Sequence, residues 1–277
     1  MLSLICTLLL LTPKVPDYTL SEALEVEIIE LQAITMAEDN QLQIQLKNLT
    51  RRKEFWVSVP VGLQFRAQDS TLQDQVLAKS QTRYLKPGKT VTYQVPSYCT
   101  EAGDISPSLG STFVLKNKQW QPLQQLMDQL EHKNYEEGAV QHAVWAVTDN
   151  HNLRGLYQAD PRLRLELLTL MSERTGQAMP TFTVRYPGPE PGQPAFLEQP
   201  ISIHTAHRYE LRENTSVSCR IYNEAGDIVQ EVFEGMQQRK GMNRIEVTLD
   251  ARDLPKGKYA TRLFANGQLL HEIWVEA

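Results

Sequence analysis

The segment Val91-Thr92-Tyr93-Gln94-Val95-Pro96-Ser97-Tyr98-Cys99-Thr100 places a hydrophobic residue at every second position from Val91 to Val95 and then reaches a cysteine at position 99. This alternation predicts a β-strand with one buried face. The same period of two recurs upstream, notably over residues 42–46, so we read residues 24–96 as β-structure. Cys99 therefore follows a strand end directly, a position where functional residues are often found.

Beyond this segment the hydrophobic residues follow a helical period. Spacings of three and four predict helices over residues 120–130, 139–148 and 162–174, and Gly176 is a suitable stop for the last of them. In the second helix we place Gln141 within the first turn, where unpaired backbone N–H groups could stabilise negative charge. Trp145, four residues later, shares its face.

Proline alternates with glycine over residues 186–194, a composition typical of linkers. Strand patterns return from residue 215, and Asn266-Gly267 is a strong hairpin signal. The chain is therefore predicted to be mainly β with a helical insert. We expect an N-terminal β-sandwich plus helices over 21–178, a Pro/Gly linker region over 179–200, and a C-terminal Ig-like antiparallel β-sandwich over 201–277.

Composition and the first residues indicate where the protein acts. The 277 residues carry a formal charge of −5, which gives no electrostatic reason to expect nucleic acid as a partner. Residues 2–11 are hydrophobic and uncharged, too few for a transmembrane helix, which needs about 20. They suit the core of a secretory signal, so we assign residues 1–20 to an N-terminal signal segment. The sequence thus predicts a secreted or outer-cell-surface protein with no transmembrane helix.

Two short motifs carry the chemistry of the chain. A cysteine thiol and a glutamine carboxamide can condense to a thioester with loss of ammonia. Tyr98-Cys99-Thr100 and Val140-Gln141-His142-Ala143-Val144-Trp145 resemble the two motifs of the thioester domains of bacterial surface adhesins, [YFL]-C-T and T-Q-x-A-[IV]-W. The first motif matches in full, whereas Val140 replaces the usual threonine of the second. The likeness covers roughly residues 90–150, with less chain between the motifs than is usual in Gram-positive adhesins.

The resemblance implies a role for each motif residue. Cys99 would supply the sulfur and Gln141 the acyl group, while Tyr98, Thr100 and Trp145 would shield and support the bond. The partner would be a host or cell-surface protein or glycan that presents an amine or a hydroxyl. Such a protein uses no cofactor, and it attaches once rather than turning over as an enzyme.

The C-terminal region resembles a second family, the Ig-like sorting domain of the type IX secretion system of Bacteroidota. The matching segments are Val217-Ser218-Cys219-Arg220-Ile221-Tyr222-Asn223-Glu224-Ala225-Gly226, Gly241-Met242-Asn243 and Leu254-Pro255-Lys256-Gly257-Lys258-Tyr259. This likeness implies export and anchoring at the cell surface.

Two alternatives remain open at this stage. The chain could be a structural or interaction module of the cell surface with no thioester, in which Cys99 and Gln141 are ordinary buried residues. It could also be a cysteine hydrolase that pairs Cys99 with a histidine, the candidates being His132, His142 and His151. We expect His142 at the surface, because it lies about 100° around the helix from Gln141. The pair His204 and His207 has no third ligand nearby, so no metal site is predicted.

Overall fold

A computed structural model describes residues 17–277, so most of the predicted signal segment, residues 1–16, lies outside the described part. Strands make up 43% and helices 18% of the structure, and the helices lie between the N-terminal and C-terminal sheets, which confirms the prediction of a mainly β chain with a helical insert. The front half contains, in chain order, β1 (Tyr18–Thr19), α1 (Leu20–Glu25), β2 (Ile29–Met36), β3 (Gln41–Asn48), β4 (Phe55–Val59), β5 (Gln64–Ala67), β6 (Gln75–Leu77), β7 (Gln81–Leu85), β8 (Thr90–Cys99) and β9 (Phe113–Leu115).

These strands form two sheets that enclose one hydrophobic core. The larger sheet has the order β2-β3-β8-β6-β5-β9 and the smaller the order β1-β4-β7. Strand β3 shows why the sheets pack: its residues alternate between half-buried polar and fully buried hydrophobic side chains. The core between the sheets is filled by residues such as Leu42, Ile44, Phe55 and Val57.

Three helices follow, namely α2 (Gln121–Leu130), α3 (Glu137–Thr148) and α4 (Pro161–Thr175), with a 3-10 turn at Leu153–Gly155. Helix α4 begins at an Asp160 cap and ends at Gly176, whose φ of 72° allows the left-handed conformation that stops a helix. Helix α3 begins two residues earlier than its hydrophobic period predicts. Gln141 therefore lies in the second turn, so the prediction that it falls in the first turn, among the unpaired N–H groups, is wrong.

The C-terminal half is a second two-sheet sandwich. It contains β10 (Phe182–Arg185), β11 (Ser202–Leu211), β12 (Thr215–Asn223), β13 (Ile228–Gln238), β14 (Gly241–Asp250), β15 (Lys258–Ala265) and β16 (Gln268–Glu276). One sheet has the order β10-β11-β14 and the other β13-β12-β15-β16. The fourth strand, β13, thus lies at the sheet edge beside the third, whereas a constant-type immunoglobulin domain places it beside the fifth.

The segment that we expected to be a linker is packed rather than extended. Its start forms strand β10, which pairs with β11 inside the C-terminal sandwich. Its later part is hydrogen-bonded to the loop after Cys99: the N–H of Ala195 donates to the carbonyl of Asp104 over 3.1 Å, and that of Phe196 to Ala102 over 3.2 Å. A segment rich in proline can still fix its few N–H groups where a neighbouring loop offers carbonyls.

Candidate functional site

Cys99 is the last residue of β8, and its side chain is buried beside the aromatic residues Trp145 and Phe196. The strand alternation puts its side chain on the buried face, where only 7% of the residue is exposed. It packs with Trp145 of α3, with Ala102, and with Ala195 and Phe196 of the packed segment. The site is therefore built by three parts of the chain that are distant in sequence.

The side-chain amide of Gln141 is bound to the backbone of Cys99 by two hydrogen bonds. The N–H of Cys99 donates to Gln141 Oε1 over 3.0 Å, and Gln141 Nε2 donates to the Cys99 carbonyl over 2.8 Å. Gln141 is itself buried, with 5% exposed. The structure thus brings together the two residues that the sequence motifs singled out.

Gln141 can bind the backbone of Cys99 because the neighbouring strand β3 ends before it reaches this residue. Strand β3 pairs with β8 up to Pro96, and the last bond on this edge runs from the N–H of Ser97 to the carbonyl of Asn40. The next backbone N–H and C=O groups on this edge belong to Cys99, and no strand within residues 17–277 pairs with them there. Buried N–H and C=O groups are almost always paired, and the amide of Gln141 replaces the missing strand residue.

The sulfur of Cys99 has a different partner, Gln75, which the sequence did not single out. Gln75 lies directly opposite Cys99 on the neighbouring strand β6, and its Nε2 donates to Sγ over 3.3 Å. Ser97 Oγ donates to Gln75 Oε1 over 2.8 Å. Gln75 sits in a run of polar residues, Gln73-Asp74-Gln75, that has no strand alternation, so nothing in the sequence predicted its burial.

Burial decides the ionisation of the thiol. It raises the pKa of Cys99 to about 11; the hydrogen bond from Gln75 acts in the opposite direction, and the nearby carboxylate of Glu101 raises the value further. The thiol is thus protonated at neutral pH. Any reaction of the sulfur has to pass through a small thiolate fraction or lose its proton during attack.

The three supporting residues of the motifs have different surroundings. Trp145 is 2% exposed and lies against Cys99, as the shielding role requires, and its indole N–H has no hydrogen-bond partner among residues 17–277. The hydroxyl of buried Thr100 also lacks one within that range. Tyr98 points to the other face of β8 and packs with the helical core, where burial raises its pKa to about 12. Tyr98 therefore does not cover the sulfur.

His142 is buried, so the expectation of a surface residue is wrong. Its ring lies between Trp145, Tyr186 and Phe196, and burial lowers its pKa to about 4. The space for the ring exists because residue 155 is glycine: a Cβ there would lie 2.4 Å from His142 Nδ1.

The sulfur's hydrogen-bond partner in the described residues is a glutamine, and no histidine there bonds to it. His132 is exposed, and the ring of His151 packs edge-to-face against Phe196. A cysteine hydrolase needs a base within hydrogen-bond reach of the sulfur. The geometry gives that alternative no support.

Gln141 is one of the residues that line a cavity of about 220 Å³. Its walls include Glu136, His142 and Trp145 of the α3 region and the stretch from Tyr186 to Pro189. A larger cavity, about 720 Å³, lies elsewhere, between α4 and the C-terminal sandwich, and Cys99 is not among its lining residues. The smaller one is the cavity that concerns the chemistry, because Gln141 lines it.

Other expected features can be located in the described part of the chain. His204 and His207 point to opposite faces of β11, and residues 17–277 contain no group of three or more metal-ligating side chains. None of the helices described over this range is both long enough and apolar enough to cross a membrane. Cys219 is a free, fully buried thiol in the C-terminal core, separate from Cys99.

Comparisons with known proteins add little. No family model matches the chain, and no curated protein matches it. Among solved structures, the CBM51-2 and INT domains of Clostridium perfringens ZmpB align at 9% identity and a TM-score of 0.20, covering 90% of this chain and 80% of that one. The same domains with CBM51-2 in complex with GlcNAc align at 9% and 0.20, covering 90% and 79%. A TM-score this low supports no conclusion about fold or function.

Proposed function

We propose that this protein forms an internal thioester between Cys99 and Gln141 and uses it to attach covalently to an amine-bearing surface. The observation that carries the proposal is the pair of hydrogen bonds, 3.0 and 2.8 Å long, that fixes the Gln141 amide against the backbone of Cys99. An intramolecular reaction gains most when its partners are held in place beforehand. Here the acyl group is tied to the residue that carries the nucleophile.

The ring-closing step follows from this arrangement. The sulfur of Cys99 attacks the side-chain carbonyl carbon of Gln141, a C–S bond forms, and the C–N bond breaks. The amide nitrogen leaves as ammonia and takes up the proton of the thiol. Negative charge develops on Oε1 during attack, and that oxygen already accepts the N–H of Cys99 at 3.0 Å. A backbone donor at this distance is the arrangement that stabilises such an oxyanion.

The attachment step reverses the roles of the groups. A lysine amine attacks the thioester carbonyl, a stable amide forms, and the sulfur leaves with a proton from the amine. A hydroxyl would give an ester instead. The cavity of about 220 Å³ beside Gln141 is the route that we assign to the nucleophile. Because the amide product is stable, each molecule reacts once and no cofactor takes part.

Burial supports the same proposal. A thioester exposed to water hydrolyses, so the site has to exclude solvent until its partner arrives. The ring centroids of Trp145 and Phe196 lie 6.0 Å apart, and both side chains belong to the cluster around Cys99. The motif resemblance adds an outer cell surface as the place of action. The hydrophobic first residues and the C-terminal likeness to a sorting domain agree with that location.

A second candidate has an observation of its own. The two hydrogen bonds of Gln141 complete the backbone pairing of Cys99, and a purely structural glutamine would do the same. Burial also holds the thiol protonated, with a pKa of about 11. On this reading the chain is an interaction module of the cell surface with no thioester.

Intact mass of the purified protein separates the two candidates. The thioester lowers the mass by one ammonia, about 17 Da, and methylamine then adds to the protein. Cys99→Ala and Gln141→Ala each abolish both effects, while Cys219→Ala, which removes the buried thiol of the C-terminal sandwich, leaves them intact. An unmodified mass in protein never exposed to amines would overturn the proposal and favour the interaction module.

A further inference from the structure

The sulfur of Cys99 lies at the end of a chain of buried polar side chains on two paired strands. Ser97 donates to Gln75 over 2.8 Å, and Gln75 donates to Cys99 Sγ over 3.3 Å. The strand register places Gln75 opposite Cys99, and Ser97 lies two residues before Cys99 on the same face of β8. All three side chains are buried, so water does not compete for these bonds.

The Ser97 hydroxyl lies within reach of two acceptors, Gln75 Oε1 at 2.8 Å and the carbonyl oxygen of Asn40 at 3.3 Å. Gln75 Oε1 is the nearer of the two, and with the hydroxyl hydrogen on it the NH₂ group of Gln75 is directed at Sγ. The amide carbon lies behind that nitrogen, one C–N bond of about 1.33 Å further along. Gln75 is thus held as a hydrogen-bond donor to the sulfur. Its orientation distinguishes it from Gln141, whose carbonyl oxygen is held by the Cys99 N–H.

A carboxamide at this position stabilises a charged sulfur more than a neutral one. The other residues of β6, Val76 and Leu77, are fully buried hydrophobic side chains. A buried amide costs free energy unless its hydrogen bonds are made, and a protonated thiol is only a weak acceptor. A thiolate accepts the same N–H in a charge-assisted bond, which is about twice as strong.

We propose that Gln75 is a positioning residue that stabilises negative charge on the Cys99 sulfur, an assignment that rests on the proposed thioester. The sulfur carries that charge twice, as the nucleophile that closes the bond and as the leaving group when an amine opens it. The thiol proton departs with ammonia in the first step, and a proton from the amine returns to sulfur in the second. Gln75 keeps its own protons and changes no covalent bond.

The first test measures the thiol in protein that cannot close the bond. In a Gln141→Ala background with carbon-13 at the cysteine Cβ, the Cβ chemical shift of Cys99 follows its ionisation in a pH titration. Gln75→Leu should move the onset of ionisation upward by at least about one pH unit, a tenfold change in the ionisation constant. Gln64→Leu is the matched control: Gln64 is equally buried, but it bonds to the backbone of Trp120.

The second test measures the reaction. Concentrated ammonium salt converts the thioester back to glutamine, and after desalting the mass falls again by one ammonia as the bond re-forms. Gln75→Leu should slow this re-formation about tenfold or more relative to Gln64→Leu. Ser97→Ala removes the tether of the amide but keeps the amide itself, so it should slow the reaction less and in the same direction.

The two tests fail separately. If the unsubstituted protein never loses ammonia, the proposed thioester is wrong. The Cβ titration then still tests whether Gln75 stabilises negative charge on the Cys99 sulfur. If Gln75→Leu and Gln64→Leu shift the Cys99 titration equally, the assignment of Gln75 is overturned even where the thioester forms. Where Gln75→Leu folds poorly, Ser97→Ala decides the question, since an unchanged titration in that variant also contradicts the assignment.

Discussion

Replacement of Gln141 by leucine, made in a Cys99→Ala background, tests the geometry on which the chemistry depends. The two hydrogen bonds of Gln141 go to the backbone of residue 99, so they persist when the sulfur is absent. Without a sulfur no covalent bond contributes to stability. The free-energy difference between Cys99→Ala and Cys99→Ala/Gln141→Leu therefore measures the backbone contact alone.

The expected magnitude follows from the two groups that lose their partner. The N–H and C=O of residue 99 are buried beyond the end of β3, and a buried group left unpaired costs about 1–3 kcal/mol. Two such groups give about 2–6 kcal/mol. Because the cavity beside Gln141 admits a water that can re-pair one group, we expect about 2–4 kcal/mol.

Urea unfolding followed by tryptophan fluorescence measures this difference. The matched control is Gln75→Leu in the same Cys99→Ala background, where Gln75 has already lost its sulfur partner and keeps only Ser97. It should cost less than Gln141→Leu. A difference below about 0.5 kcal/mol for Gln141→Leu, within the range of ordinary surface substitutions, would refute the backbone contact and with it the pre-positioned acyl group.

Three further predictions concern ionisation and packing. Burial raises the pKa of the Cys99 thiol to about 11. In Gln141→Ala protein, which cannot form the thioester, the stabilising contribution of this thiol is full below its unfolded pKa of about 8.5 and is lost as pH rises to about 11. Urea unfolding at several pH values should show a smaller decline in stability once Cys99 is also replaced by alanine. Burial lowers the pKa of His142 to about 4. The contribution of the neutral imidazole to the free energy of unfolding is therefore present above about pH 6.5 and is lost as pH falls toward 4. His142→Phe should reduce the acid-induced loss of stability at pH 5 by about 2 kcal/mol. Gly155→Ala puts a Cβ 2.4 Å from His142 Nδ1 and should lower the free energy of unfolding by about 1–3 kcal/mol. In a His142→Ala background the same substitution should change stability very little. Equal losses of stability in both backgrounds would contradict the packing of His142 against Gly155.

Much of the fold could be predicted because local patterns and tertiary burial agree. The alternation over residues 42–46 and 91–95 lies within β3 and β8, and the helix predicted over 120–130 differs from α2 by one residue at its start. Helix α1 was missed, although Thr19 and Glu22 form a capping box that was visible as Thr-Leu-Ser-Glu. Its six residues are too few to show a helical period.

The site was predictable only in part, since it depends on where strands end in three dimensions. The motifs singled out Cys99 and Gln141 but not the reason for their contact, which is the end of β3 one strand away. Gln75 lies opposite Cys99 through a register that no local pattern encodes. The Pro/Gly composition of residues 186–194 predicts a linker because it disfavours helices and sheets. Composition does not predict the hydrogen bonds that this part of the chain makes with the backbone of residues 102–106.

The position of a methylamine adduct shows whether Gln141 supplies the acyl group of a thioester with Cys99. Gln141 is the only glutamine in the tryptic peptide of residues 134–154, Cys99 lies in the peptide of residues 90–116, and Gln75 lies in that of residues 67–79. After methylamine treatment of the folded protein, we expect a methylamide on residues 134–154 and a newly alkylatable thiol on residues 90–116. An adduct on residues 67–79, or three unmodified peptides, would contradict it.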